Sequence, residues 1–121
     1  MTAGDDSLGR RAEAAVARFL ERQGYQIVGH NLRLGHLELD IVARVDTTIV
    51  VVEVRTRGAG AWTTAIGSID GNKRSRIRRA GERLWQRRYK NDTSVDRMRF
   101  DAAAVSFEGD EEVVEYVVAA F

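Results

Sequence analysis

The sequence holds no cysteine and no proline in 121 residues, and its only histidines are His30 and His36. Without cysteine there is no disulfide framework, no thiol nucleophile and no cysteine-based zinc finger. Two histidines are too few for a histidine-rich metal centre and argue against a Ser/His/Asp triad. No apolar run approaches the roughly 20 residues of a membrane-spanning helix, and Ile49 to Val52 is broken at Glu53. The first eight residues have neither a basic start nor an apolar stretch. No secretory signal is therefore expected, and the chain reads as cytoplasmic and independent of membranes. Internal repeats and low-complexity tracts are also missing.

What is present suits one packed domain: 44% of the residues are hydrophobic, enough for a single core. The net charge of +1 conceals an asymmetry. Lys73 to Arg99 contains eleven basic and three acidic residues, whereas Glu108 to the end contains five acids and no base. Such a split sets up a strong local field even when the total is close to zero. Seventeen of the nineteen basic residues are arginine, which leaves Lys73 and Lys90 as the only lysines.

Residues 1–8 are expected to form a flexible tail ahead of a single domain over residues 9–121. From Gly9 to Gln23, Ala12, Ala15, Val16, Phe19 and Leu20 recur at helical spacing, and Gly24 is placed to stop the helix. Tyr25 to Val28 begins a strand that Leu32 to Leu34 can extend. Leu37 to Ala43 alternates at period two, and Thr48 to Arg55 is β-branched almost throughout. A run apolar on both faces fits a central strand covered on both sides. Arg57 to Ser68 reads as a glycine-bearing loop, and Asp70 caps a second helix over Gly71 to Tyr89. Phe100 to Phe107 and Val113 to Ala119 complete the strands. The order α-β-β-β-α-β-β predicts an α/β fold, a mixed sheet flanked by helices.

Acids stand where a core is expected. Asp40 interrupts an apolar strand, and Glu53 ends the most buried-looking one. A carboxylate in such a place must be paired, protonated or bound to a cation. If the two strands form a hairpin, Asp40 and Glu53 can meet, and two adjacent hard oxygen ligands suit Mg²⁺. Glu13, at the border of the first helix's inward face, can point at the same acids; it can equally pair with Arg10 or Arg18. Asp40 and Glu53 can also belong to a salt-bridge network with Arg55, Arg33 and Arg44. In the second helix Ile77, Ala80 and Leu84 form a buried stripe. Arg76, Arg79, Arg83 and Arg87 form a neighbouring stripe, either a solvated face or a phosphate-binding one. Lys73 aligns with the buried stripe. Trp62 can stack on a base or pack on the core, and Trp85 reads as the core's edge.

These residues resemble a known family when taken in order. Gly9, Glu13, Ala17, Leu20 and Gly24-Tyr25 precede Asn31-x-Arg33 and Glu38-Leu39-Asp40-Ile41-Val42-Ala43. Val52-Glu53-Val54-Arg55-x-Arg57, Ile69-x-x-x-Lys73, Ala80 with Leu84, and Arg99-Phe100-Asp101 follow. The chain resembles the YraN-like family of uncharacterised bacterial proteins, assigned to the PD-(D/E)XK nuclease superfamily and similar to Holliday-junction resolvases. That resemblance implies a restriction-endonuclease-like fold and catalytic roles for Glu13, Asp40, Glu53 and Arg55. Asp40 and Glu53 would be the ligands of Mg²⁺ or Mn²⁺, and Glu13 would support the metal or its water. Arg33 is similar in place to an arginine that contacts the scissile phosphate. Lys73, Arg76, Arg79 and Arg83 would bind the nucleic acid.

Two positions depart from the family's pattern, which usually has lysine where this chain has Arg55 and glycine where it has Leu37. Arginine cannot act as a base, because its pKa exceeds ~12, but it can stabilise charge on phosphorus. The first expectation is therefore a metal-dependent endonuclease on DNA, branched or single-stranded, with a homodimer suited to a four-way junction. The second is a non-catalytic nucleic-acid-binding module whose nuclease site is degraded at Arg55. The third is an interaction protein whose charge asymmetry selects its partner.

Overall fold

A strand as β-branched as Thr48–Thr56 gains most when both of its faces are covered, and the molecule is arranged to do that. The computed structural model describes residues 3–57, 67 and 69–121, so the glycine-bearing loop with Trp62 lies outside the described residues. Its elements are α1 (Ala3–Arg22), β1 (Gln26–Leu34), β2 (Leu37–Val45), β3 (Thr48–Thr56), α2 (Gly71–Leu84), β4 (Arg97–Glu108) and β5 (Glu111–Val117). They form one five-stranded sheet in the order β1-β2-β3-β4-β5. Three neighbouring pairs are antiparallel; β3 and β4 are parallel, joined by a crossover that contains α2. This is the mixed α/β architecture and element order read from the sequence. No described helix is long and apolar enough to cross a membrane.

Each helix seals one side of the sheet. Ala12, Ala15, Val16 and Leu20 of α1 pack with Val50, Val52 and Val54 of β3. Ile77, Ala80 and Leu84 of α2 pack with Ile49 and Val51 on the opposite face. Helix α1 begins at Ala3 rather than Gly9, since no proline intervenes to stop it. It ends where expected. Gly24 takes φ 91°, and Tyr25 and Gly24 donate to the carbonyls of Leu20 and Glu21 at 2.9 and 3.0 Å, closing a Schellman motif.

Helix α2 starts at Asp70, whose Oδ1 accepts the Lys73 N–H at 3.0 Å. Its regular part stops at Leu84, short of Tyr89, because Trp85–Tyr89 winds more widely, with Lys90 N donating to Trp85 O at 2.8 Å. The wider turn rephases the buried stripe by one residue. A continued α-helix would bury Arg88, four after Leu84; here Tyr89 is buried and Arg88 is exposed. Strand β1 is continuous from Gln26 to Leu34, joining the expected stretches Tyr25 to Val28 and Leu32 to Leu34, with a bulge between Ile27 and Gly29.

The carboxylate of Asp101 on β4 is fully buried. It accepts from Arg99 Nε and Nη2 at 2.9 and 2.8 Å, Tyr116 Oη at 2.5 Å and the Ala119 N–H at 2.8 Å. Arg99 Nη2 also donates to Tyr25 Oη at 2.8 Å. Four donors satisfy a group that would otherwise be very costly to bury. They tie β5 and the chain after it to β4, and β5 accordingly stops at Val117 rather than Ala119. Burial and the adjacent carboxylate push the Tyr116 hydroxyl well above its ordinary range. Asp101→Ala should cost about 3–5 kcal/mol in urea unfolding, because it strands the Arg99 charge. Tyr116→Phe, which removes one charge-assisted bond, should cost about 1.5–3 kcal/mol. Equal, negligible losses in both variants would show that the network contributes nothing to stability.

Candidate active site

Strands β2 and β3 pair from Val45↔Thr48 to Ile41↔Val52, and the register ends there. Asp40 and Glu53 are the next residues out on each strand, so the two acids stand at the split. Asp40 fills a gap in the ladder, its Oδ2 accepting the Val54 N–H at 2.9 Å. Leu37 and Leu39 belong to the cluster beneath α2, whereas Ile41 and Ala43 belong to the one beneath α1. Residues two apart should share a face, so β2 turns over at Asp40.

Glu53, with only 12% of its side chain exposed, meets Arg55 Nη2 through Oε2 at 2.8 Å and is hydrogen-bonded to Asp40. Burial, then the bond to Asp40 and its charge, push the Glu53 carboxyl up to about 9; Arg55 and Lys73 oppose the shift. Near neutral pH the Glu53 carboxyl is therefore held toward its protonated form. Arg55 is held by this contact, and its buried Nε has no hydrogen-bond partner among the described residues. Glu53 and Arg55 open into a cleft of about 560 Å³ between the sheet and α2, with Lys73, Arg76 and Arg79 across from them.

The other candidates take different positions. Glu13 approaches from α1, half-buried, with its Oε1 accepting from Asn31 Nδ2 at 3.0 Å. Burial raises its carboxyl, opposed by the Asn31 bond, and the charges of Asp40 and Glu38 raise it further. Glu13 thus feels the charge of Asp40, and neither residue is among those that line the cleft. Arg33 lies outside the cleft as well, paired with Glu38 at 3.7 Å. The arginine stripe divides: Arg76 and Arg79 face the acids, while Arg83 donates to Leu34 O at 3.1 Å and lines a neighbouring cleft. His36 in the β1–β2 turn also lines the acid cleft, and Asn31 positions Glu13 from a left-handed φ of 49°. Neither residue carries a periodic or compositional signal.

No group of three or more His, Asp or Glu side chains with metal-binding geometry occurs among the described residues. The donor set is two neighbouring carboxyl groups, Asp40 and Glu53, with a cleft beside Glu53. This fits Mg²⁺ or Mn²⁺, which take one or two carboxylates and fill the remaining positions with water and phosphate. It does not fit a closed zinc site.

The raised carboxyl of Glu53 makes stability depend on pH. Below the ordinary value of 4.5 both folded and unfolded states hold the proton. As pH rises from there through about 9, the unfolded chain releases it first, and stability falls. Glu53→Gln keeps a donor toward Asp40 and has no proton to lose. Urea unfolding of the two proteins should diverge with rising pH, the variant gaining several kcal/mol over the native protein by the alkaline end. Parallel curves would mean that Glu53 is ionised in the native protein.

The model of the uncharacterised protein family UPF0102 matches residues 12–105. A UPF0102 protein of Sorangium cellulosum is 53% identical over 116 residues, covering 95% of this chain and 81% of the relative. One from Ectopseudomonas mendocina is 36% identical over 86% of each chain. Another, from Geobacter metallireducens, is 32% identical over 100% of this chain and 97% of its own. With the match running from within α1 to within β4, through the acid pair and α2, the chain belongs to UPF0102, the YraN-like family of the PD-(D/E)XK nuclease-like proteins.

Proposed function

We propose that this protein is a metal-dependent endonuclease that hydrolyses DNA phosphodiester bonds in the cleft between Glu53 and α2. The observation that carries the reading is the placing of Asp40 and Glu53 side by side where β2 and β3 part, with Glu53 opening toward a basic helix. A stability role alone gives little reason to place two carboxylates so that one must hold a proton. Among the described residues none of Arg76, Arg79, Arg83 and Arg87 has an ion pair, so the face of α2 and the wide turn after it keep their charge for a polyanion.

In this reading Asp40 and Glu53 hold Mg²⁺ or Mn²⁺, which when bound polarises the phosphoryl group and neutralises the leaving oxygen. Lys73, Arg76 and Arg79 grip the flanking phosphates. Arg55 directs its guanidinium at the charge that develops on phosphorus but cannot take the proton of the attacking water. A DNA substrate places the protein in the cytoplasm, and a homodimer would set two clefts on a branched junction. The second reading, a binding module without cleavage, draws on one observation: Arg55 Nη2 already occupies Glu53 Oε2 at 2.8 Å.

Nicking of supercoiled, single-stranded and four-way-junction DNA with Mg²⁺ or Mn²⁺, with a chelator control, separates the two. Asp40→Asn and Glu53→Gln should each lower cleavage at least about a hundredfold and leave DNA binding intact. Arg55→Lys, which restores the family's residue, should keep or raise it. Binding without cleavage by both the native protein and Arg55→Lys would establish the second reading. In either case Arg76→Ala with Arg79→Ala should weaken binding alike on all sequences and reduce the salt slope by about 2. An unchanged slope would make the stripe an ordinary solvated face.

A further inference from the structure

On the other side of the Arg79 row lies a larger cleft, about 690 Å³, between the C-terminal half of α2, the wide turn and the start of β4. Its floor is apolar: Trp85, Met98 and Phe100, all half-buried and packed on the cluster beneath α2. Phe100 approaches α2 closely because Gly81 has no side chain; a Cβ there would lie 2.7 Å from Phe100 Cζ. The rim is cationic. Arg79, Arg83 and Arg87 border the cleft, and the Arg78 guanidinium sits 5.4 Å from the centre of the Phe100 ring. Glu82 is the one carboxylate among the described lining residues.

An apolar floor alone would suit any greasy segment, and a guanidinium rim alone any anion. A floor with two aromatic rings beneath a row of arginines suits a ligand that is flat and apolar on one side and anionic on the other. A nucleotide whose base is unpaired has that form, whereas in a duplex both faces of the base are stacked. Arg79 lines this cleft and the acid cleft alike.

We propose that this second cleft takes an unpaired nucleotide of single-stranded nucleic acid, its base on Trp85 and its phosphates on Arg79 and Arg87. The assignment rests on the nuclease reading in one respect: a single strand is taken to run from the acid pair over Arg79 into this cleft. The substrate class is then a strand with an unpaired stretch beside the cleaved bond, rather than an uninterrupted duplex.

Binding is measured with the full chain in chelator, so that no cleavage is required. The probes are a short fluorescein-labelled oligothymidylate and a duplex of equal length. In a Trp62→Phe background Trp85 is the only tryptophan. Its fluorescence should be quenched on saturation with the oligothymidylate, and the duplex should leave it unchanged. Trp85→Leu, which keeps the bulk but removes the ring, should weaken oligothymidylate binding on the order of tenfold and leave duplex binding within twofold. Exposed Arg87→Gln repeats the test if Trp85→Leu fails to fold, and should weaken binding about threefold.

Unchanged oligothymidylate affinity in the folded variants would overturn the proposal. So would competition by a polyglutamate peptide that depends equally on Trp85, since that would assign the cleft to an acidic protein segment. Asp40-dependent cleavage that survives alongside unchanged binding removes this cleft and leaves the nuclease standing. Trp85-dependent binding without any cleavage removes the nuclease and leaves the cleft.

Discussion

Ile49, Val50, Val51 and Val52 leave β3 without a polar face, so the strand is at home only between two covering helices. Helix α1 covers one side and α2 the other, and the parallel pairing with β4 follows from routing the chain back across the sheet. Once β3 is fixed this way, its final residues set the chemistry. Glu53 and Arg55 share the parity of Ile49 and Val51, which turns both toward α2. Asp40 is delivered to the same place because β2 leaves the ladder after Ile41 and turns over there. The acid pair is a consequence of where the central strand runs out of partners.

Within that geometry the electrostatics oppose one another. Burial and the neighbouring Asp40 disfavour ionisation of Glu53, and Arg55 and Lys73 offset only part of that. The raised carboxyl of Glu53 reflects the remainder. A divalent cation would replace its proton, so affinity for the cation should rise with pH, as is general for ligands that must first deprotonate. The Nε of Arg55, buried without a hydrogen-bond partner among the described residues, marks the same imbalance.

Features that depend on local periodicity were legible in the sequence. The Ile77, Ala80, Leu84 stripe and the β-branched run over β3 encode burial directly. Asp40 and Glu53 stood out because acids at apolar strand positions require a reason. Features set by distant contacts were not legible. The rephasing at Trp85–Tyr89 depends on Tyr89 being the buried residue, which no spacing declares. The division of the arginine stripe depends on Met98 and Phe100 lying beside one flank of α2. The Asp101 network joins residues 74 and 15 positions apart in the chain, and only folding brings them together.

A chain of net charge +1 can still present a polyanion-binding face if its acids are engaged elsewhere. That is how the charges are distributed here. Glu112 on β5 lies 3.4 Å from Arg18 and 3.9 Å from Arg11, so part of the acidic end is matched by α1, across the sheet from α2. Helix α2 contains a single acid, Glu82, against six basic residues, and no ion pair joins it to the rest of the described structure. The basic helix also serves the acid pair: carboxylates facing a polyanion would repel it, and Lys73, Arg76 and Arg79 across the cleft offset that repulsion. Placing Glu53 and the basic helix on opposite walls of one cleft lets a phosphate approach a carboxyl group it would otherwise avoid.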